Sequence, residues 1–249
     1  MNEIFIVELY DNINISKYNV FYKFIKGESL DKIKNFCFDI NKKQSILSEI
    51  MVRCLACKYL HIENKLLKFS KNKYGKPYLK DNKNFHYNIS HSEHIVCCCI
   101  SDNEVGIDVE KVVPIDYEKI IERFFTQREK NYIMSNQDKA IDRFFEIWTK
   151  KESYIKYLGR GLSLSLNEFD VFDDDIKSMV KSFKINEYYI SLCSKWTSSL
   201  SKLFNDSCND FLEDYAKIKI FFFKDHEFKV YFMSEKQLYD AASKILLEK

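Results

Sequence analysis

The chain has 249 residues, of which 46% are hydrophobic and 31% are charged. These proportions are typical of a soluble globular protein with one large domain or two smaller ones. Lys and Arg together number 39 against 37 Asp and Glu, so the formal net charge is only +2. A nucleic-acid-binding protein usually carries a larger or more clustered basic excess, so this class is not expected and any anion site must be local.

Nothing in the sequence predicts a membrane span or a signal peptide. Apolar stretches fall short of the roughly 18–20 residues that cross a bilayer. The start, Met1 to Glu8, has no basic region and carries acidic residues within its short apolar run. It predicts a first strand and a cytoplasmic location.

The predicted strands and helices are interspersed along the chain without a strict βαβ order. Strands are predicted at 3–9, near 84–89, 95–100 and 104–110, and at 187–193, 215–223 and 227–233. Helices are predicted at about 41–61, 116–124, 127–134 and 139–158. This arrangement predicts the α+β class.

Two segments match capping boxes, Thr126 with Glu129 and Ser234 with Gln237, and each predicts a helix start. Gly159 and Gly161 are expected to end the helix over 139–158, after which the chain should return as a strand.

The eight cysteines are expected to be packed thiols, because no secretory signal accompanies them. Cys54 and Cys57 form a C-x-x-C pattern within a helix, without the βαβ context of a redox pair. The alternative for Cys97–Cys99 is a zinc site shared with His86, His91 and His94. Three consecutive strand residues point to alternate faces, which argues against such a site.

The first segment with possible chemistry is Gly106–Glu110. On a strand, Asp108 and Glu110 project from one face while Ile107 and Val109 pack on the other. Two carboxylates on one rigid face repel each other unless a cation or protons intervene, and Mg²⁺ shared with a substrate phosphate would satisfy them. Exposed acids on a sheet edge are the alternative.

The second segment lies in the helix predicted at 139–158. Trp148, Glu152 and Lys156 share one face at helical spacing. An exposed Glu152–Lys156 pair would be an ordinary surface ion pair of little energetic value. Trp148 on the same face indicates partial burial, which favours a functional role for the two charges.

The third segment combines Tyr74-Gly75-Lys76-Pro77 with Asn88-Ile89-Ser90-His91-Ser92. Lys76, braced between Gly and Pro, can hold a phosphate as a point charge, and Ser90 and His91 can donate hydrogen bonds to phosphate oxygens. Taken singly, a turn lysine and a strand-end histidine are usually structural.

In order and spacing, Y-G-K-P, N-I-S-H-S, G-I-D-V-E-K and W-T-K-K-E-S-Y-I-K-x-x-G-R-G-L resemble the 4′-phosphopantetheinyl transferase superfamily. The single chain with all four motifs is similar to its larger subgroup, the surfactin-synthetase-activating type. The resemblance is most specific over residues 74–171. It implies a monomer of two similar α+β halves, 1–110 and 111–249, related by a pseudo-two-fold axis around a coenzyme A cleft.

The resemblance also implies a magnesium-dependent transfer of 4′-phosphopantetheine from coenzyme A to a serine of an apo acyl or peptidyl carrier protein, with release of 3′,5′-ADP. Asp108, Glu110 and Glu152 would bind Mg²⁺. Glu152, directly or through a water, would be the general base, and Lys156 would neutralise the phosphates. The implied nucleotide contacts are Lys32, Lys43, Ser45, Lys76, Ser90 and His91.

Two positions depart from related enzymes, since Ser29 and Gln44 stand where basic residues occur, and the contacts to the 3′-phosphate are therefore less well matched. Two other functions stay open. A metal-dependent phosphohydrolase would use the same carboxylates with water as the nucleophile, and a non-catalytic module would bind coenzyme A or a partner. The retained carboxylates argue against the second, since binding alone needs no metal cage. Polyketide or nonribosomal-peptide carriers are favoured over those of fatty-acid synthesis.

Overall fold

The computed structural model describes residues 2–9, 15–25, 27–196, 217–223 and 226–247. Within these ranges the strands are β1 (Asn2–Glu8), β2 (Phe69–Lys71), β3 (Pro77–Leu79), β4 (His86–Ser92), β5 (Ile95–Ser101), β6 (Val105–Lys111), β7 (Val180–Ile185), β8 (Tyr188–Ser194), β9 (Lys217–Phe223) and β10 (His226–Ser234). The α-helices are α1 (Glu28–Asn35), α2 (Asp39–Leu60), α3 (Glu118–Phe124), α4 (Gln127–Met134), α5 (Ala140–Leu158), α6 (Asp174–Met179) and α7 (Glu235–Ala242). The predicted α+β class is confirmed.

Every strand and helix that was predicted with a residue range coincides with an observed element to within a few residues, although 215 and 216 of one predicted strand lie outside the described residues. Both capping boxes are confirmed, at Thr126 and at Ser234. Gly159 ends α5 in the left-handed conformation with φ 62°, as predicted.

The first sheet has five strands in the order β4-β5-β1-β10-β9 and is covered on both faces near its centre. Phe5 and Val7 of β1 pack with α2 and α7, while Ile4 and Ile6 pack toward a second sheet. This double burial explains why β1 is a continuous apolar run rather than an alternating one.

The consecutive cysteines of β5 follow the same division. Cys98 packs with the α2 core, whereas Cys97 and Cys99 lie in the core on the opposite face. Cys54 and Cys57 are also buried thiols, as predicted. Burial raises the pKa values of Cys54 and of all three β5 thiols, which leaves these groups protonated and unreactive.

The second sheet has three antiparallel strands in the order β6-β8-β7, and α5 lies across it. Gly106 of β6 is where the helix comes closest. A Cβ atom there would lie 2.1 Å from the main-chain oxygen of Ser153 and 2.3 Å from the nitrogen of Tyr157. The absence of a side chain therefore lets the α5 backbone rest directly on the strand.

The segment after α5 differs from the prediction. Lys151, completely buried on α5, forms an ion pair with Glu129 at 2.8 Å and donates to the main-chain oxygens of Leu166 and Phe169 at 2.8 and 2.7 Å. These bonds hold the chain against the helix in short 3₁₀ turns at Gly161–Ser163 and Leu166–Glu168. The expected direct return as a strand is wrong, because these carbonyl groups accept from Lys151 instead of joining a ladder.

The first sheet draws strands from both ends of the chain. β10 pairs in parallel with β1, with Phe5 opposite Tyr231, and Leu238 of α7 packs in the same core as α2. The division into residues 1–110 and 111–249, and the pseudo-two-fold axis between the halves, stay predictions. None of the helices in the described ranges combines the length and apolar character needed to cross a bilayer.

We expect Gly106→Ala to lower the free energy of unfolding by about 2–3 kcal/mol, because the added methyl group would collide with main-chain atoms that cannot rotate away. Urea denaturation measures the change.

Gly27→Ala isolates backbone strain, since Gly27 has φ 58° and ψ −140°, a region open mainly to glycine, but nothing within 4 Å of the added atom. It should lose about 1–3 kcal/mol from strain alone. Gly106 has no positive φ, so a Gly106→Ala variant with wild-type stability would contradict the collision with α5.

Candidate active site

Strands β4 and β6 belong to different sheets, and side chains join them. Oxygen atoms of three alternate β4 residues accept hydrogen bonds from three alternate main-chain amides of β6, at 2.8, 3.3 and 3.1 Å. We call this set the polar seam, and its pairs are Asn88 Oδ1 with Ile107 N, Ser90 Oγ with Val109 N, and Ser92 Oγ with Lys111 N. The seam satisfies the amides of an edge strand and fixes the alignment of the two sheets.

The same serines hold the two carboxylates of β6. Ser90 Oγ donates to Asp108 Oδ1 at 2.9 Å, and Ser92 Oγ donates to Glu110 Oε2 at 2.9 Å. Each serine therefore contacts both the backbone and an acidic side chain of β6, which orients Asp108 and Glu110 toward the same side.

Helix α5 brings its charged face to these carboxylates. Lys156 Nζ donates to Asp108 Oδ1 at 2.6 Å and to Ser90 Oγ at 2.8 Å. Trp148, Glu152 and Lys156 share one face of the helix as predicted. An open cavity of about 250 Å³ is lined by Ile89, Ser90, His91, Asp108, Glu110, Trp148, Glu152 and Lys156.

Negative charge is concentrated in a partly desolvated place. Desolvation, followed by the repulsion of Asp108, raises the pKa of Glu110 to about 7. The same two causes raise the pKa of Glu152. Lys156 counteracts both shifts without cancelling them, so the site favours an additional positive charge.

The donor chemistry fits a hard divalent cation. Asp108 is 3% exposed, and its Oδ2 atom is a buried oxygen without a hydrogen-bond partner in the part of the chain that the structure describes. Such an oxygen is costly unless a cation approaches it. Within the described ranges no three His, Cys, Asp or Glu side chains form a ready-made metal cluster, and this includes the zinc alternative. The carboxylates of Asp108, Glu110 and Glu152 line one cavity, but they are not already arranged around a common metal position.

His91 lies at the mouth of the cavity. The residue is exposed, yet nearby protein atoms displace part of the water around its imidazole, and Lys156 and Lys32 add positive charge. Together these effects lower the pKa of His91. Lys32, exposed on α1, is thus the predicted N-terminal contact that the structure brings near this site.

Two other predicted contacts, Lys43 and Ser45, lie on α2 and are not among the residues that line the cavity. Lys43 is buried and forms an ion pair with Glu235 of α7 at 3.5 Å. Ser45 is half-buried, and between them Gln44 donates to the main-chain oxygen of Glu93 at 2.8 Å. Lys43 as a nucleotide contact stays a prediction that would require this ion pair to open.

Lys76 is also outside this cluster. Its ammonium donates to Glu104 Oε2 at 2.7 Å and to the main-chain oxygens of Val105 and Tyr157 at 3.0 and 3.1 Å. Lys76 therefore lies at the C-terminal end of α5, beyond Lys156 along the helix. The predicted phosphate contact stays untested.

Comparisons with known proteins support one family. The sequence model described as the 4′-phosphopantetheinyl transferase superfamily matches residues 104–216, and that of the 4′-phosphopantetheinyl transferase N-terminal region matches residues 14–102. The 4′-phosphopantetheinyl transferase gsp of Aneurinibacillus migulanus is 34% identical over 216 residues, which cover 78% of this chain and 90% of that protein.

The chain belongs to the 4′-phosphopantetheinyl transferase superfamily. The 4′-phosphopantetheinyl transferase Sfp of Bacillus subtilis is 36% identical over 61% of this chain and 67% of its own length. The human L-aminoadipate-semialdehyde dehydrogenase-phosphopantetheinyl transferase is 32% identical over 59% of this chain and 53% of its own length. The adjacent family matches are consistent with two similar halves.

Asn88 and Ser92 had no role predicted from the sequence. Their signal was the alternation of polar residues at 88, 90 and 92, which on a strand places all three side chains on one face. That pattern indicates a polar neighbour, but the identity of the neighbour depends on how the two sheets meet.

We expect Glu110→Gln to stabilise the metal-free transferase at pH 7.5 but not at pH 5. The carboxyl pKa is about 7 in the folded chain against an ordinary 4.5, so the folded state holds this proton more tightly. The free energy of unfolding therefore falls as the pH rises through this window, on the order of 1–3 kcal/mol, and glutamine removes that loss.

Urea titrations in the presence of EDTA at the two pH values measure the difference. Glu168→Gln, at an exposed position, is the control and should show no pH-dependent difference. A Glu110→Gln difference that is the same at both pH values would contradict the raised pKa.

Proposed function

We propose that this chain transfers 4′-phosphopantetheine from coenzyme A to a serine of an apo acyl or peptidyl carrier protein. The observation that carries the proposal is that Asp108, Glu110, Glu152 and Lys156 line one cavity in a chain of this superfamily. The serine oxygen bonds to the phosphorus that bears pantetheine, and the bond from that phosphorus to the bridging oxygen breaks. The products are the holo carrier and 3′,5′-ADP.

In this proposal Asp108, Glu110 and Glu152 would hold Mg²⁺. The ion would supply charge neutralisation for the pyrophosphate, as in other phosphoryl transfers. Two observations support the assignment: among the described residues Asp108 Oδ2 has no hydrogen-bond partner, and the pKa values of Glu110 and Glu152 are raised. Both indicate negative charge that the surrounding residues compensate incompletely.

Lys156 is proposed to bind the phosphates and to stabilise charge on the departing 3′,5′-ADP. Its ammonium donates to both Asp108 and Ser90, and these two bonds orient it within the cavity. Ser90, His91 and Lys32 are proposed as the neighbouring nucleotide contacts. A lowered His91 pKa suits a neutral imidazole that donates one hydrogen bond to a phosphate oxygen.

Glu152 is proposed as the general base that accepts the serine proton, directly or through a water. Burial and Asp108 raise the pKa of the metal-free Glu152 side chain, which favours proton uptake, whereas coordination to Mg²⁺ would weaken the carboxylate as a base and would favour the route through a water. We further propose a monomeric cytoplasmic enzyme that acts on polyketide or nonribosomal-peptide carriers, with a coenzyme A cleft between the two halves.

The test is incubation of the protein with coenzyme A, Mg²⁺ and a panel of apo carriers, followed by mass spectrometry of each carrier. A carrier that gains one phosphopantetheine supports the transferase. Cleavage of coenzyme A with unmodified carriers would instead support the phosphohydrolase.

We expect Glu152→Gln to lower the transfer rate by about 10²–10⁴-fold while some coenzyme A binding is retained, since the amide cannot accept the serine proton and is a poorer Mg²⁺ ligand than the carboxylate. Single-turnover mass spectrometry measures transfer, and calorimetry measures binding. Glu168→Gln should transfer at the wild-type rate, and near-normal transfer by Glu152→Gln would remove the residue from the mechanism.

A further inference from the structure

The C-terminal turn of α5 rests on the turn that joins β2 to β3. This turn includes Asn72 and Lys76, and it lies far from α5 in sequence. The contact matters because Glu152 and Lys156 lie within the last two turns of the same helix.

Lys76 donates to a main-chain oxygen that has no amide partner within helix α5. The main-chain oxygen of Tyr157 belongs to the last turn of α5, where carbonyl groups have no amide partner further along the helix. Lys76 Nζ donates to this oxygen at 3.1 Å and to Val105 O at 3.0 Å. A cation at this end also interacts favourably with the helix dipole.

Asn72 binds the next part of the helix end. Its Nδ2 atom donates to the main-chain oxygen of Gly159 at 2.8 Å, while its Oδ1 atom accepts from the amides of Tyr74 and Lys76 at 2.9 and 3.0 Å. The side chain therefore shapes its own turn and holds α5 at the same time. At Gly159, an added Cβ would lie 2.8 Å from the Cδ atom of Lys76, which shows how closely the two segments pack.

Glu104 fixes the ammonium in place. Lys76 Nζ lies 2.7 Å from Glu104 Oε2, and His86 Nδ1 lies 3.2 Å from the other carboxylate oxygen. His86 and Lys76 lower the pKa of Glu104 to about 2, so this carboxylate is charged at any physiological pH. The Lys76 side chain is only 14% exposed, and three protein oxygens surround its charge.

We propose that Lys76 and Asn72 are positioning residues that anchor the end of α5 and thereby set where Glu152 and Lys156 stand relative to Asp108. This inference rests on the proposed function for its kinetic consequence, but the anchoring itself is independent of it. A role of Lys76 as a direct phosphate ligand makes a different prediction. In that case substitution of Lys76 would alter the reaction, whereas substitution of Asn72 would not.

Lys76→Met and Asn72→Asp separate the two roles. Methionine keeps most of the aliphatic stem without the charge, and aspartate keeps the turn acceptor without the amide donor. A positioning role predicts that both variants lower kcat by about 10- to 100-fold with KM for coenzyme A within about twofold, since small displacements of reacting groups are costly. Lys73→Met, on the exposed surface of the same turn, should behave as wild type.

Amide hydrogen exchange provides a readout that needs no substrate. In both variants the amides of residues 156–159 should exchange at least about fivefold faster than in wild type, while Lys73→Met leaves them unchanged. This result would stand even if the carrier assay found no transfer, so failure of the proposed function and failure of the anchor are distinguishable.

Two outcomes would overturn the proposal. One is a Lys76→Met enzyme with KM for coenzyme A raised about tenfold at unchanged kcat, together with a wild-type Asn72→Asp enzyme. The other is unchanged exchange at the end of α5 in both variants.

Discussion

Three main-chain amides of β6 donate to side chains of β4, and the rest of the site depends on this polar seam. The two strands belong to separate sheets among the described residues, so their alignment relies on polar side chains instead of a backbone ladder. Ser90 and Ser92 also hold Asp108 and Glu110. The Oγ atoms of Ser90 and Ser92 therefore determine both how the two sheets are aligned and how the two carboxylates are oriented.

The protein treats its buried charges in two ways. Lys151 and Glu129 are completely buried, but each has main-chain partners in addition to the other, so the pair is satisfied and structural. Around Asp108 the compensation is incomplete, and Glu110 and Glu152 retain raised pKa values. This contrast between satisfied and unsatisfied charge distinguishes a structural ion pair from a site prepared for a charged ligand.

Local patterns predicted most helices and strands, because burial of one face imposes a period that the sequence displays. The meeting of Asp108 and Glu110 with Glu152 and Lys156 came from the family resemblance, since no local pattern states which edges of a fold come together. Lys43 and Lys76 show the limit most clearly. Each was expected at a nucleotide, but each has a carboxylate partner distant in sequence, Glu235 and Glu104, which periodicity cannot reveal.

The parallel pairing of β1 with β10 has a consequence for biosynthesis. During synthesis β1 (Asn2–Glu8) leaves the ribosome long before β10 (His226–Ser234), the parallel strand that pairs with it. Until then one edge of β1 has unpaired amide and carbonyl groups, with apolar side chains on both faces. Completion of the sheet must therefore wait until β10 has been synthesised, and the contacts between distant segments should make this step slow and dependent on protection from aggregation.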